Sequence, residues 1–313
     1  HPDVFEKQSV VVQEIATTFE TLQKQIDPKL EYDVYEKAIG ELIQQLVMHP
    51  QSAVFLGDLM GKGGGELMRH SSAVTYLSLL MGLKLEGYLV RQRKHVDPAK
   101  AKEVVALGLG AMLHDIGVIA LPQEVRQMHE LTGDEFNPIW QQHPLLGYQM
   151  VRGKISPSAA TVVLNHHQYV DGTGYAGHEV TILSGERIHI FARIVAAAVQ
   201  FDMLRHPVNG EEKPTVKVLG EMMEPWLYRK FDVQVLGALF SVAPAYPPGS
   251  IVRLSDGQWA VCIDHHPLDP CRPVVQMICD PQTLDVESAE VGKVIDLSTA
   301  EDDALCVVEI DGV

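Results

Sequence analysis

Leu107-Gly-Leu-Gly-Ala-Met-Leu-His114-Asp115 is a run of apolar and small residues that stops abruptly at a histidine and an aspartate. It extends back to Val104 without the alternation of a half-exposed strand, so it reads as a buried helix. A His-Asp pair at the end of such a helix is costly to bury unless something pairs with it, and a metal ion is a suitable partner. The dipeptide alone says little. Its meaning comes from what lies on either side.

On the N-terminal side, Glu66 and His70 are spaced to share one helix face. On the C-terminal side come His143 and the adjacent pair His166-His167. Adjacent helical residues point about 100° apart, so such a pair reaches two metals more readily than it chelates one. Imidazole suits iron, zinc and manganese, and a carboxylate such as Asp115 can bridge two cations. Two neighbouring cations can stabilise both the attacking and the leaving oxygen of a phosphoryl displacement. Each residue also has a plain structural reading, as a hydrogen-bonded core histidine or an exposed helical pair, and it is the combination that favours a metal centre. His1, His49, His95, His129, His178, His189 and His206 lack that context and read as surface or structural.

Outward from this region the chain is mainly helical. Val10, Val11, Ile15, Phe19 and Leu22, then Ile39, Leu42, Ile43 and Leu46, recur at helical spacing, with a break at Asp27-Pro28 and an end at His49-Pro50. Gly61-Lys-Gly-Gly-Gly65 leads into Glu66, not into the Gly-Lys-Ser/Thr of a Walker loop, and reads as a linker. Ile188 to Val199 is a second buried helix. After Pro247-Pro248-Gly249 the pattern changes to short strands at 250–254, 258–263 and 273–279, with turns at Asp256-Gly257 and Asp280-Pro281. Three regions are expected: an N-terminal helical segment (1–60), a helical catalytic domain (61–246) and a small β-rich extension (247–313).

The chain has 313 residues, 46% hydrophobic and 21% charged, enough for one large core plus a small domain. A formal net charge of -16 argues against a bulk nucleic-acid partner. A small anionic substrate stays compatible if bound cations reverse the local field. Cys262, Cys271, Cys279 and Cys306 form no C-x-x-C pair and read as reduced thiols. Asp264-His265-His266 reads as a solvated turn. With no signal-peptide pattern and no apolar run read as spanning a bilayer, a cytoplasmic location is expected.

The motifs resemble those of one family. His114-Asp-Ile-Gly-Val-Ile-Ala-Leu-Pro122 is similar to HDIGK-x-x-x-P, and His143-Pro-Leu-Leu-Gly147 to H-x-x-x-G. His166-His-Gln-Tyr-Val-Asp-Gly-Thr-Gly-Tyr175 resembles HHE-x-x-DG-x-GYP, and Arg193 to Leu204 resembles RI-x-x-x-AD-x-F-D-A-L. Together they identify a resemblance to the HD-GYP family over residues 66 to 204.

That resemblance implies an HD-type helical bundle with N-terminal helices and a small C-terminal β appendage. It implies a phosphodiesterase hydrolysing cyclic di-GMP to linear pGpG and/or GMP with a metal-bound hydroxide. Two or three divalent transition metals are implied, iron or manganese favoured. The ligands it implies are Glu66, His70, His114, Asp115, His143, His166 and His167, with His114 and Asp115 central to catalysis. Asp171, Gly172, Gly174 and Tyr175 would form the substrate loop, Tyr175 by packing more than by contact. A homodimer through the N-terminal helices fits the same picture.

Four positions depart from the motifs. Val118 stands where HDIGK has its lysine, removing a charge that could hold a phosphate. Gln168 replaces the glutamate of HHE, and Ala176 the proline of GYP. Val199 replaces the last aspartate of the ligand set, leaving Glu66, Asp202 or water to complete the coordination. Val118 and Val199 motivate an alternative, a degenerate nucleotide- or metal-binding receptor with little turnover.

Overall fold

The structure is a computed structural model and describes residues 32–48, 66–266, 269–278, 292–299 and 305–310. The helix expected before residue 32, the break at Asp27-Pro28, the helix end at His49-Pro50, the glycine linker, Cys279 and the turn at Asp280-Pro281 lie outside the described residues. The chain falls into two compact units: His1–Glu212 with Glu224–Leu239, and Lys213–Met223 with Phe240–Val313.

The first unit is helical. Helix α1 spans Tyr32–Met48 and buries Ile39, Leu42 and Leu46 at the spacing read from the sequence. Helices α2 (Glu66–Lys84), α3 (Glu86–Gln92) and α4 (Pro98–Ala101) precede α5 (Val105–Met112). Helix α5 is the buried run that opened the sequence reading. It packs against α1, α2 and α8 (Pro157–Asn165). Two glycines make that possible: a Cβ on Gly108 would stand 2.7 Å from Ile39 of α1, and one on Gly110 would stand 2.7 Å from Val162 of α8. Between α5 and α8 lie a 3-10 turn (Ile116–Ala120), α6 (Gln123–Thr132) and α7 (His143–Val151). Helix α9, Ile190–Arg205, is buried along most of its length and packs on α2 and α8.

Two local devices set where these helices begin and end. The Ser156 side chain accepts from Ala159 N at 3.3 Å and Pro157 takes the first turn, so α8 starts cleanly and ends at His166. The His189 ring accepts from Phe191 N at 3.2 Å and caps α9. Arg193, the arginine that opens the last motif, is structural: its guanidinium bonds Asp232, the Ile188 carbonyl at 3.1 Å and Gln92 at 2.5 Å. It thus ties α9 to α3 and to Asp232. Pro98–Ala120 is long and apolar enough to cross a bilayer by length and composition alone, and 72% of its most apolar window is buried inside the protein.

The second unit holds α10 (Thr215–Met222) and a five-stranded antiparallel sheet ordered β4-β3-β2-β1-β5. Strands β1 (Ile251–Leu254), β2 (Trp259–Asp264) and β3 (Val274–Ile278) were expected, whereas β4 (Val294–Asp296) and β5 (Val307–Ile310) were not. Val252 and Leu254 face inward from β1, Ala260 and Cys262 from β2. The β1–β2 hairpin turns at Gly257, which takes φ +86°. Cys262, Cys271 and Cys306 are not joined in disulfides. His266 pairs with Asp296 at 3.0 Å, and among the described residues this turn contributes to no metal-ligand cluster.

Candidate metal centre

Four elements of the helical unit bring these side chains to one place. His114 and Asp115 follow immediately on the last turn of α5, and His166 and His167 on that of α8. His143 opens α7, and His70 lies in the second turn of α2. All except His70 are buried, and His70 is half-buried. Two sets of ligand atoms result: Asp115 with His143, His166 and His167, and Asp115 with His70 and His114, each set lying within 4.8 Å.

Asp115 stands between them. Its Oδ1 lies 3.3 Å from His143 Nε2 and 3.4 Å from His166 Nε2. Its Oδ2 lies 3.3 Å from His114 Nε2 and 3.9 Å from His70 Nε2.

The other ring nitrogens show what the Nε2 atoms are for. His114 Nδ1 meets the Ala111 carbonyl at 2.7 Å, His143 Nδ1 that of Trp140 at 2.9 Å, and His166 Nδ1 that of Val163 at 2.9 Å. A nitrogen facing a carbonyl carries the proton, which leaves each Nε2 as a bare lone pair. Those lone pairs converge on one another and on a carboxylate. His143 Nε2 and His166 Nε2 are 3.3 Å apart, and His114 Nε2 and Asp115 Oδ1 are buried without a hydrogen bond. Acceptors crowded together in this way repel unless a cation sits among them. The cluster therefore fits divalent metal binding by its own chemistry.

Ionisation agrees. Burial pushes His166 down to about 4. Burial also pushes His167 well down, so both rings are neutral ligands near neutral pH. Burial alone would raise Asp115, but the imidazoles of His114, His143 and His166 outweigh it and hold the carboxyl well below the usual range. In His70, Asp202 outweighs the lowering effect of burial and raises the pKa.

Asp202 lies on α9, one turn beyond Val199. It receives Arg69 through both oxygens, at 3.0 and 3.2 Å, and meets His70 Nδ1 at 2.6 Å. Its oxygens are thus taken up in orienting His70. Val199 itself is buried at 3% exposure and lines the cavity beside the cluster. That cavity measures about 800 Å³, within the range of small-molecule sites, and is also lined by Glu66, His70, Asp115, Val118 and His167. Glu66 borders the cavity but belongs to neither ligand set.

The loop after His167 supports the centre. Gly172 and Gly174 take φ +83° and +92°, and a Cβ on Gly174 would lie 2.0 Å from the His167 carbonyl. Tyr175 stacks on His167, with ring centroids 4.5 Å apart, and donates its hydroxyl to Glu135 at 2.7 Å. Glu135 also meets His129 at 2.9 Å, and His129 stacks on Trp140 at 3.4 Å. Asp171 accepts from the Thr173 amide and hydroxyl at the exposed tip. Gln168 spans from Asn165 to Leu183 N, so a neutral amide serves here. None of Asp171, Gly172, Gly174 and Tyr175 is among the residues lining the cavity.

The sequence reading missed Glu135, Arg69 and Trp140, and set aside His129 and His206, which also line the cavity. For His129 no local signal existed, because its partners are a stacked ring and a carboxylate across a turn. His206 could have been found from its one-turn spacing to Asp202, which it meets at 3.1 Å.

Comparison with known proteins agrees with this architecture. Residues 86–232 match the HD domain, and residues 251–309 match a KOW domain associated with HD domain. The chain is 28% identical over 231 residues to cyclic di-GMP phosphodiesterase PA4108 of Pseudomonas aeruginosa, covering 73% of this chain and 51% of that protein. It is 39% identical over 142 residues to the cyclic di-GMP phosphodiesterase response regulator RpfG of Xanthomonas campestris, covering 44% and 36%. The chain thus spans about half the length of the first relative and less of the second. Bd1817, an HDG"Y"P protein from Bdellovibrio bacteriovorus, shares the fold with a TM-score of 0.55 at 20% identity, covering 74% of this chain and 69% of that one. The helical unit is an HD domain built around a histidine–aspartate cluster able to bind divalent metal. The HD-domain match and the named relatives support the resemblance of this chain to the HD-GYP family.

Proposed function

We propose that this chain is a phosphodiesterase that hydrolyses cyclic di-GMP to linear pGpG and/or GMP with the help of two or three divalent metals. The observation that carries the reading is Asp115, whose two oxygens face different histidine sets. One carboxylate shared by two ligand sets is the arrangement that holds two cations side by side. The names of the curated relatives support the substrate. When bound, such metals supply the Lewis acidity that activates water and offsets charge developing on phosphate. Iron or manganese suits a histidine-rich set completed by a carboxylate.

The protein's own residues do the rest. His70, His114, Asp115, His143, His166 and His167 would hold the metals, and Glu66, which borders the cavity, would complete a further coordination place. Burial keeps His166 and His167 neutral, as ligands must be. Asp171, Gly172, Gly174 and Tyr175 form a loop that acts on substrate through His167, because Tyr175 stacks on that ring. The working unit is residues 61–246, operating in the cytoplasm, with pairing of two copies through the N-terminal helices.

The test is metal analysis combined with product chromatography. Protein purified without chelators should carry at least two transition metals per chain and convert cyclic di-GMP to pGpG or GMP. Replacing His114 and Asp115 together by alanine should empty most of the cluster. Unchanged metal in that double variant refutes the ligand assignment. Full metal with cyclic di-GMP binding and no turnover refutes the enzymatic reading.

A further inference from the structure

Val118 brings no charge to the cavity. It is buried in an apolar cluster with Leu121 and Trp140, against which Val125 packs. The residue after Val125 is Arg126 of α6, which lines the same cavity as Val118. Among the described residues that line it, two are lysine or arginine, Arg69 and Arg126. Arg69 is committed to Asp202 through paired contacts at 3.0 and 3.2 Å.

Arg126 is different. Its Nε is buried and has no hydrogen-bond partner, and its side chain makes no ion pair among the described residues. Glu130, one turn along the same helix and also at the cavity wall, does not pair with it. A guanidinium N–H withdrawn from water without an acceptor is unfavourable, and an incoming oxygen anion relieves it. Guanidinium is also suited to phosphate, which it can grip with parallel N–H donors. The cavity is otherwise rich in carboxylates: Glu66, Asp115, Glu130, Glu135 and Asp202 all line it. An anionic ligand entering here needs a cation that is not already neutralised.

We propose that Arg126 is the phosphate-holding residue of this cavity, supplying from α6 the charge that the HDIGK motif places at position 118. The inference rests on reading the cavity as a phosphodiester site. It assigns Arg126 to binding a phosphate oxygen of the ligand, with no part in holding the metals.

The experiment uses the full chain with its metals and compares Arg126→Gln, Arg126→Lys and the double variant Val118→Lys/Arg126→Gln. Metal content and melting temperature are measured first. Calorimetry then follows inorganic phosphate and cyclic di-GMP. Arg126→Gln should weaken both ligands about tenfold, as expected for loss of a charge-assisted contact. Arg126→Lys should fall between the two. Adding Val118→Lys should recover part of the loss, which a purely structural role would not allow. Wild-type affinity for both ligands in Arg126→Gln overturns the proposal. Where Arg126→Gln melts lower, Arg126→Lys and the double variant decide: loss that persists equally in both overturns it. If phosphate binding depends on Arg126 but the wild-type chain neither binds nor turns over cyclic di-GMP, the arginine assignment stands and the substrate reading fails. If cyclic di-GMP is hydrolysed with an unchanged KM in Arg126→Gln, the arginine assignment alone fails.

Discussion

Val199→Asp probes whether the cavity is a metal site more directly than removing a ligand does. Val199 is 3% exposed and lines the cavity with Asp115 and Asp202. Without metal, a new carboxylate there has no cation of its own, because Arg69 is held by Asp202. It must then be buried charged or take up a proton. A carboxyl forced from about 3.9 to about 7 costs about 4 kcal/mol at neutral pH. For a unit of this size that lowers Tm by about 8 to 16 °C. With metal bound, the same carboxylate sits beside cations and the penalty is offset, with tighter retention against a mild chelator. The assay is a pair of thermal melts, metal-free and metal-loaded, on the variant and the parent. A deficit that is large without metal and mostly closed by adding it is the expected result. A drop of equal size in both states would show that position 199 faces core and not cluster, and the register of α9 in the motif would be wrong.

Two further outcomes follow from the contacts around the centre. Asp202→Asn keeps an acceptor for His70 but loses the charge that holds Arg69, so metal retention should fall about 10- to 100-fold; a chelator titration showing parental retention would remove Asp202 from this role. Burial, with help from Arg93 and Arg193, lowers His189 to about 4, below its ordinary 6.5, so its contribution to stability is full above about pH 6.5 and is lost as pH falls toward 4. The shift corresponds to about 3 kcal/mol. His189→Asn retains a capping acceptor that does not titrate, so its Tm should fall less between pH 7 and pH 5 than the parent's; identical pH profiles would mean that the cap does not titrate in this range.

How much of this was legible in the sequence depends on the range over which each signal acts. Helix α5 and the clustered histidines were visible because a buried apolar run fixes a helix, and the residues just past its end must go where that helix points. The first three strands were visible because their alternation survives in short windows. Strand β4 spans only Val294–Asp296, with one exposed and two half-buried residues, and offers no period to detect. The supports of the centre were hidden for another reason. Tyr175 and Glu135 meet across 40 residues, and Arg126 matters only because its buried Nε has no hydrogen-bond partner among the described residues. Both are properties of the folded arrangement. Asp202 was named as a candidate ligand for the place lost at Val199. In the fold both of its oxygens are turned to Arg69 and His70.

The two valines are best understood together. Relative to the motifs, Val199 removes one anion from the cavity wall and Val118 removes one cation, and both positions line the same space. The formal charge of the cavity is therefore unchanged by the pair, although each replacement alone would shift it by one. A metal cluster with one fewer carboxylate is more electropositive toward a phosphate. Such a cluster has less need of a separate lysine to draw the substrate in. The remaining requirement is geometric: some donor must orient a phosphate oxygen away from the cluster itself. Arg126, whose Nε has no partner among the described residues and which lies at the cavity wall, is the residue proposed to meet that requirement from a neighbouring helix. On this argument the departures at 118 and 199 are one coupled change in how charge is divided between metal and side chain, and they do not by themselves mark a site that has lost its chemistry.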